Sequence, residues 1–250
     1  MPKRPKAVSL AALRARIRVL EAAPAGPGEA EAVAFGAAAI DAALPWGGLP
    51  RAALHEVVAA APGEAAAAGF CAALLARLAA GRGPALWCLA RGDLHGPGLG
   101  AFGLAPDRLI VVRARRPVEV LWAMEEGLRS GRLGAVLGEA RAVDLTAGRR
   151  LQLAAKAGGT PCLALLAPAA GRAPGAALTR WRVAAAPSAP EDGLPGLGRA
   201  RWRVELLRCR GGAPCTWLVE WNDEARRFAV VSVLAERAPG AAVPARRRAG

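Results

Sequence analysis

The chain has 250 residues, enough for one domain of ordinary size with short tails, and 54% of them are hydrophobic. No apolar run approaches the roughly 20 residues of a membrane-spanning helix, and the basic start MPKRPK is not followed by the apolar core of a signal peptide, so we expect a cytoplasmic protein that does not enter membranes. The net charge of +14 favours an anionic partner such as nucleic acid, although a GC-rich genome yields the same arginine- and alanine-rich composition without selection for binding.

The cysteines and histidines argue against a metal site. The five cysteines are odd in number, form no CxxC pair and mostly lie in apolar runs: Cys71, Cys88, Cys162, Cys209 and Cys215. With only two histidines in the chain, we expect reduced, buried thiols and no metal.

Residues 1–22 carry the pattern of an amphipathic helix capped by Ser9. Its apolar residues recur at spacings of three and four, which places them on one stripe: Leu10, Leu13, Ile17 and Leu20. The Gly- and Pro-containing segment 23–34 follows as a linker. The stripe therefore packs either on its own domain or on a partner, and both alternatives stay open.

Residues 35–236 read as one α/β core. Short apolar strands such as LHEVVAA, PALWCLA and RLIVVRA are joined by helical stretches, which predicts a parallel sheet covered on both faces. After the loop 168–178, segments such as RWRVELLRCR and CTWLVEW alternate polar and apolar residues around a GG turn, which predicts an antiparallel β-hairpin end. The tail 237–250 is basic and of disordered composition.

Several of these segments resemble known families. FGAAAIDAALPWGGLPRAALHEV (35–57) resembles the entry to the RecA core, and LHGPGLGAFGLAPDRLIVVRA, LWAMEEGLRSGRLGAVLGE and DLTAGRRLQLAAKAGG resemble the ImuA family. The resemblance implies a RecA-like P-loop NTPase fold with a mostly parallel central sheet. It also implies an SOS-induced accessory protein of error-prone translesion synthesis. The implied partners are the polymerase-like ImuB protein and an error-prone replicative-type polymerase subunit, with self-association left open.

The nucleotide site of such a fold looks degenerate here. A phosphate-binding loop reads G-x-x-x-x-G-K-[ST], whereas EVVAAAPGEAAAAGFCAAL offers Gly63 and Gly69 and then Phe70 and Cys71 in place of lysine and the hydroxyl residue. We assign the magnesium-binding aspartate position to Gly138, followed by Glu139. The prediction is a pseudo-ATPase without a cofactor or catalytic residues. The alternatives are an ATPase with an atypical site and a division inhibitor resembling SulA.

The C-terminal strands supply further candidates. We assign Trp202, Trp217 and Trp221 to a partner surface, the alternative being that they pack the sheet. The residues assigned to single-stranded DNA are all arginines: Arg180, Arg201, Arg203, Arg246, Arg247 and Arg248. Asp93 and His95 lack a matching nucleophile for catalysis, and His55 and Glu56 are expected to form hydrogen bonds in the core.

Overall fold

The computed structural model describes residues 31–63, 65–92, 94–172, 174–188, 190 and 198–236. Two sets of predicted residues lie outside this part of the chain: the apolar stripe Leu10, Leu13, Ile17 and Leu20, and the arginines Arg246, Arg247 and Arg248. Asp93 lies outside it as well.

The described residues form eleven strands and five α-helices. The strands are β1 (Ala32–Val33), β2 (Leu49–Pro50), β3 (Leu54–Ala59), β4 (Ala85–Leu89), β5 (Leu109–Arg113), β6 (Ala135–Ala140), β7 (Cys162–Leu166), β8 (Thr179–Ala186), β9 (Arg201–Cys209), β10 (Cys215–Asn222) and β11 (Arg227–Glu236). The helices are α1 (Ala38–Asp41), α2 (Ala66–Ala79), α3 (Gly96–Leu99), α4 (Pro117–Arg129) and α5 (Leu145–Gly158). Short 3₁₀ helices lie at Gly100–Phe102, Pro106–Arg108 and Pro168–Arg172.

One large sheet organises the chain. It has nine strands in the order β11-β10-β9-β8-β3-β7-β6-β4-β5. All neighbours from β8 through β3 to β5 are parallel, whereas β8–β9, β9–β10 and β10–β11 are antiparallel. The predicted mixed α/β architecture, with a mostly parallel sheet and antiparallel hairpins at its C-terminal end, is confirmed.

The parallel strands are apolar throughout because helices cover both faces. α2 packs on one face, where its Phe70 and Leu74 share a core with Trp87 of β4 and Leu137 of β6. α4 and α5 pack on the other face, in a second core with residues such as Val136. A strand buried on both sides has no solvated face, so its sequence shows no polar alternation.

The antiparallel strands alternate as predicted. On β9, Trp202, Val204 and Leu206 are buried in the α2 core, while Arg203 between them is exposed. The C-terminal hairpins therefore extend the core around α2 instead of forming a separate layer. At the other end of the chain, β1 lies within the segment predicted as linker, where it pairs with β2.

None of the described helices combines the length and hydropathy needed to cross a membrane.

Candidate functional site

The loop between β3 and α2 lies where open α/β sheets bind ligands, at the carboxyl ends of the parallel strands. Its Gly63 has φ +73°, a left-handed conformation that suits glycine. α2 begins at Ala66, and Ala65 caps it without a side-chain hydrogen bond. In a phosphate-binding loop the lysine and hydroxyl residue stand at this strand–loop–helix junction. Among the described residues of this junction, Ala65, Ala66 and Ala67 bring neither charge nor a metal ligand.

This geometry corrects the assignment of Gly69, Phe70 and Cys71. All three lie inside α2, three to five residues after its first residue, Ala66, instead of in the loop. A Cβ on Gly69 would come within 3.1 Å of the Phe102 ring. Phe70 and Cys71 are fully buried, and the Phe70 ring lies 5.4 Å from that of Phe228. These residues belong to the core, so their identity says nothing about the lysine and hydroxyl residue of a phosphate-binding loop.

The assignment of Gly138 also changes. Side chains on a strand alternate between faces, and Gly138 points to the α4 face, where a Cβ would meet the Met124 sulfur at 2.1 Å. A larger residue at this position would require the Met124 side chain to move. Glu139 points to the opposite face, and its Oε1 accepts a 2.8 Å hydrogen bond from Nε1 of Trp87. The acidic residue facing α2 at the end of β6 is therefore Glu139.

Glu139 lies in a largely apolar environment. Burial raises the pKa of its carboxyl, while the Trp87 hydrogen bond partly opposes that effect. The neighbouring thiol of Cys71 has a strongly raised pKa, first through burial and second through the charge of Glu139. A protonated thiol is a poor nucleophile and metal ligand. In the described part of the chain, no group of three or more His, Cys, Asp or Glu residues has the arrangement of a metal site.

A second polar arrangement lies buried on the α5 face of the sheet. Glu56 of β3 and Arg180 of β8 are register partners, and Arg180 Nε donates a 2.5 Å hydrogen bond to Oε2 of Glu56. Arg208 of β9 follows in the same row, and its Nη2 donates to the carbonyl of Ala177. Burial first, and the charge of Arg180 second, lower the pKa of Arg208. Arg180 is thus part of the core, and we no longer assign it to DNA.

His55 forms the hydrogen bonds in the core that its sequence context predicted. Its Nε2 donates to the carbonyl of Pro50, and its Nδ1 accepts from the hydroxyl of Thr179. That hydroxyl accepts in turn from Nε1 of Trp181. Burial lowers the pKa of His55 to about 4, so the ring is neutral at physiological pH. The network is structural, since every group in it is fully enclosed.

Comparison with known proteins identifies the family. The chain is 42% identical over 232 residues to Protein ImuA of Caulobacter vibrioides strain NA1000/CB15N, covering 86% of this chain and 95% of the relative. Protein ImuA of the C. vibrioides strain ATCC 19089/CIP 103742/CB 15 matches equally well. The chain belongs to the ImuA family. No family model matches it.

One solved structure is also similar. SulA from Pseudomonas aeruginosa is 21% identical and aligns with 45% of this chain and 97% of its own, with a TM-score of 0.39.

In this ImuA-family chain, the predicted partner-binding tryptophans lie in the core. Trp202, Trp217 and Trp221 are 1–4% exposed. Trp202 stacks edge-on against Phe70, and Trp221 Nε1 donates to the carbonyl of Ala101. Such side chains cannot contact a partner unless the core opens. The assignment to a partner surface is therefore corrected, and these tryptophans pack the sheet.

The remaining predicted residues lie apart from one another. Arg201 is half-buried and bonded to Glu220, whereas Arg203 is exposed and lies 3.3 Å from Glu205. His95 caps α3 by accepting from the Gly98 amide, which is a structural role. The Trp87–Glu139 pair was missed in the sequence because β4 and β6 are far apart in the chain, and no local pattern pairs them.

Proposed function

We propose that this chain is a non-catalytic accessory protein of SOS-induced, error-prone translesion DNA synthesis that acts in the cytoplasm. Its role is to bring together the polymerase-like ImuB protein and an error-prone replicative-type polymerase subunit. The observation that carries the proposal is the 42% identity to Protein ImuA across 232 residues. The match covers 86% of this chain and 95% of the relative, so it extends over the sheet and both helical layers.

The β3–α2 junction supports the non-catalytic part. ATP hydrolysis on a phosphate loop needs a cation beside the transferred phosphate and a held magnesium ion. Ala65, Ala66 and Ala67 supply neither group, and Glu139 is bonded to Trp87 in a half-buried position. The backbone amides of the first α2 turn alone would bind phosphate weakly, since they lack the neutralising charge.

We further propose that the core derives from a RecA-like P-loop fold whose site has degenerated. Three features support this origin. A strand inside the sheet, β3, leads through a short loop into α2. The carboxyl end of β6 carries an acid on the α2 face. The sheet continues from its parallel part into antiparallel hairpins.

The predicted apolar stripe of residues 1–22 remains our candidate for the ImuB contact. We expect Leu13→Asp combined with Ile17→Asp to weaken it, because burying an unpaired carboxylate in an apolar interface costs several kcal/mol. The tail arginines Arg246 to Arg248 remain candidates for contact with single-stranded DNA, and that contact should weaken steeply with salt.

The test is a mutagenesis assay with the full chain. A strain lacking the gene should lose mutations induced by ultraviolet light, and the wild-type chain should restore them. A Glu139→Gln variant should restore them equally, since no hydrolysis is needed. Co-purification with the ImuB and polymerase partners should accompany the restored mutagenesis.

Two outcomes would contradict the proposal. Normal induced mutagenesis in the deleted strain removes the accessory role. Loss of mutagenesis in a folded Glu139→Gln variant, together with ATP turnover by the wild-type protein, replaces the adaptor with an ATPase.

A further inference from the structure

The outer surface of α4 and α5 carries a groove that nothing in the described chain covers. Val118 and Trp122 of α4 are each 63% exposed, and Leu153 of α5 is 67% exposed. Such exposure is unusual for a tryptophan, which normally buries most of its ring. Val118 and Trp122 are four residues apart and so lie on one side of α4.

The groove between the two helices has a volume of about 300 Å³. Its apolar side consists of Leu153, Ala154 and Ala157 of α5. Its charged side consists of Glu125 and Arg129 of α4 and Arg150 of α5. Trp122 lies one helical turn before Glu125, so it extends the apolar surface along the groove. The lining residues span 125–129 on α4 and 150–157 on α5, which corresponds to a groove of about 10 Å along the helices.

The charges around the groove are mostly positive. Glu125 is nearly buried, and two guanidinium groups, those of Arg129 and Arg150, each approach it at 2.6 Å. Arg149 is also exposed on α5, and the exposed acid nearby, Glu126, lies 3.5 Å from Arg129. The three guanidinium groups of Arg129, Arg149 and Arg150 face the two carboxylates of Glu125 and Glu126, so the groove combines an apolar side with a rim of small positive excess.

We propose that this groove docks an amphipathic helix of a partner protein whose polar flanks are acidic. An amphipathic helix lays residues at spacings of three, four and seven into such a groove, and tryptophan with arginine is the usual pair of anchors. The acidic flanks pair with Arg149 and with Arg129 and Arg150, which share Glu125. The proposal stands independently of the translesion role and of the nucleotide site.

The chain's own N-terminal stripe fits the groove poorly. Residues 1–22 carry six Lys or Arg residues against a single acid, Glu21. Arg14, Arg16 and Arg18 would flank Leu13 and Ile17 against a rim that is already cationic. Like charges at close range are unfavourable, so neither this segment nor that of a second copy is the expected occupant.

The experiment uses the full chain and two synthetic helical peptides of about 18 residues, long enough for appreciable helicity. Both present leucines at spacings of three, four and seven. One carries glutamates on its polar positions, and the other carries lysines. Fluorescence anisotropy of the labelled peptides measures binding. We expect the acidic peptide to bind at least about tenfold more tightly, with the difference shrinking as salt rises.

Variants locate the binding. Val118→Glu should weaken the acidic peptide by about tenfold, because it places a carboxylate in the apolar contact. Val231→Glu is the matched control, since this valine is also exposed, at 47%, but lies on β11. Arg149→Glu should weaken the acidic peptide by about fivefold and strengthen the basic one.

Four results would overturn the proposal. The first is equal binding of both peptides, and the second is an equal loss of peptide affinity from Val118→Glu and Val231→Glu in folded proteins. The third is tighter peptide binding after Leu13→Asp combined with Ile17→Asp. The fourth is a change of oligomeric state in Val118→Glu. The third result would assign the groove to the N-terminal segment. The fourth would assign it to a second copy of the chain.

Discussion

The indole of Trp87 donates a 2.8 Å hydrogen bond to the carboxylate of Glu139, joining the neighbouring parallel strands β4 and β6. Trp87 is fully buried in the core that α2 shares, and Glu139 is half-buried near the carboxyl end of β6. The carboxylate is therefore engaged in a hydrogen bond with the core.

Purified protein should release no phosphate from ATP above background. The start of α2 offers Ala65 to Ala67 and no cation, and Glu139 is held by Trp87. A sensitive phosphate-release assay with magnesium, with and without single-stranded DNA, measures this. Turnover in the wild-type chain that disappears in Glu139→Gln would refute the prediction, because a contaminating ATPase would not respond to that change.

Glu139→Gln should make the protein relatively more stable as pH rises. The pKa of Glu139 is raised in the folded state by burial, so its ionisation opposes folding. The stabilising contribution of the protonated acid is complete below its unfolded pKa and is lost as pH rises through the folded pKa. Glutamine keeps an acceptor for Trp87 without this loss.

Thermal unfolding of Glu139→Gln and wild type, compared from pH 4 to pH 8, tests that prediction. The difference in melting temperature should favour the variant increasingly towards pH 8. Glu126→Gln, at a half-exposed site on α4, is the matched control and should show no such trend. A constant difference across this range would mean that the charge of Glu139 is not opposed by its surroundings.

The protein should lose stability between pH 6.5 and pH 4 through His55. Its pKa falls from 6.5 to about 4 in the folded state because of burial. A depressed pKa contributes stability above the unfolded value, and that contribution is lost as pH falls towards the folded value. The shift corresponds to about 3 kcal/mol.

Urea unfolding at several pH values measures the loss. His55→Gln keeps a donor and an acceptor for Pro50 and Thr179 but cannot titrate, so its stability should depend less on pH in this window. His95→Asn retains a capping side chain at α3 and should behave as wild type. If His55→Gln unfolds with an unchanged pH profile, the acid sensitivity comes from other groups.

The sequence was sufficient to predict the sheet with its parallel and antiparallel strands, because apolar runs and period-two alternation are local signals. It failed at the nucleotide site for the same reason. Gly63 and Gly69 were assigned to a degenerate phosphate-binding loop, whereas α2 begins at Ala66 and encloses both Gly69 and Phe70. Gly138 matched by position along β6, but the face of a strand residue depends on which helix packs on which side.

The tryptophans show the same limit. A sequence pattern cannot distinguish a buried aromatic face from an exposed one when the covering element is distant. Trp202 is covered by Phe70 and by Phe102, both more than ninety residues earlier in the chain. By contrast, Trp122 lies on α4, a helix that also carries apolar residues outside the core, and its side chain is exposed.

Trp202→Ala should destabilise the protein by about 3–5 kcal/mol, because it leaves a large cavity between Phe70 and Phe228. Trp122→Ala is the control and should change the unfolding free energy by less than about 0.5 kcal/mol. Denaturant unfolding measures both. A small effect at Trp202 with intact folding would show that the hairpin does not pack on α2.

The Glu56–Arg180 pair should show strong coupling in a double-mutant cycle. Arg180 is 5% exposed and Glu56 fully buried, so removing either partner leaves the other charge without its main neighbour in a medium that solvates it poorly. Arg180→Met should cost about 3–5 kcal/mol. Glu56→Leu with Arg180→Met should recover most of that loss, since the pair then becomes apolar at similar volume. Arg203→Met, at an exposed arginine, should stay within about 0.5 kcal/mol.

The double variant decides between two origins of the cost. If the loss in Arg180→Met comes from the unpaired carboxylate, replacing Glu56 as well removes it, and the coupling energy in urea unfolding is large. If the arginine mainly contributes packing through its methylene chain, methionine already supplies that, and Arg180→Met alone is mild. Arg208 offers an internal check. Burial and Arg180 lower its pKa, so removing Arg180 should raise it. Additive effects of the two substitutions would show that Glu56 and Arg180 are not energetically paired.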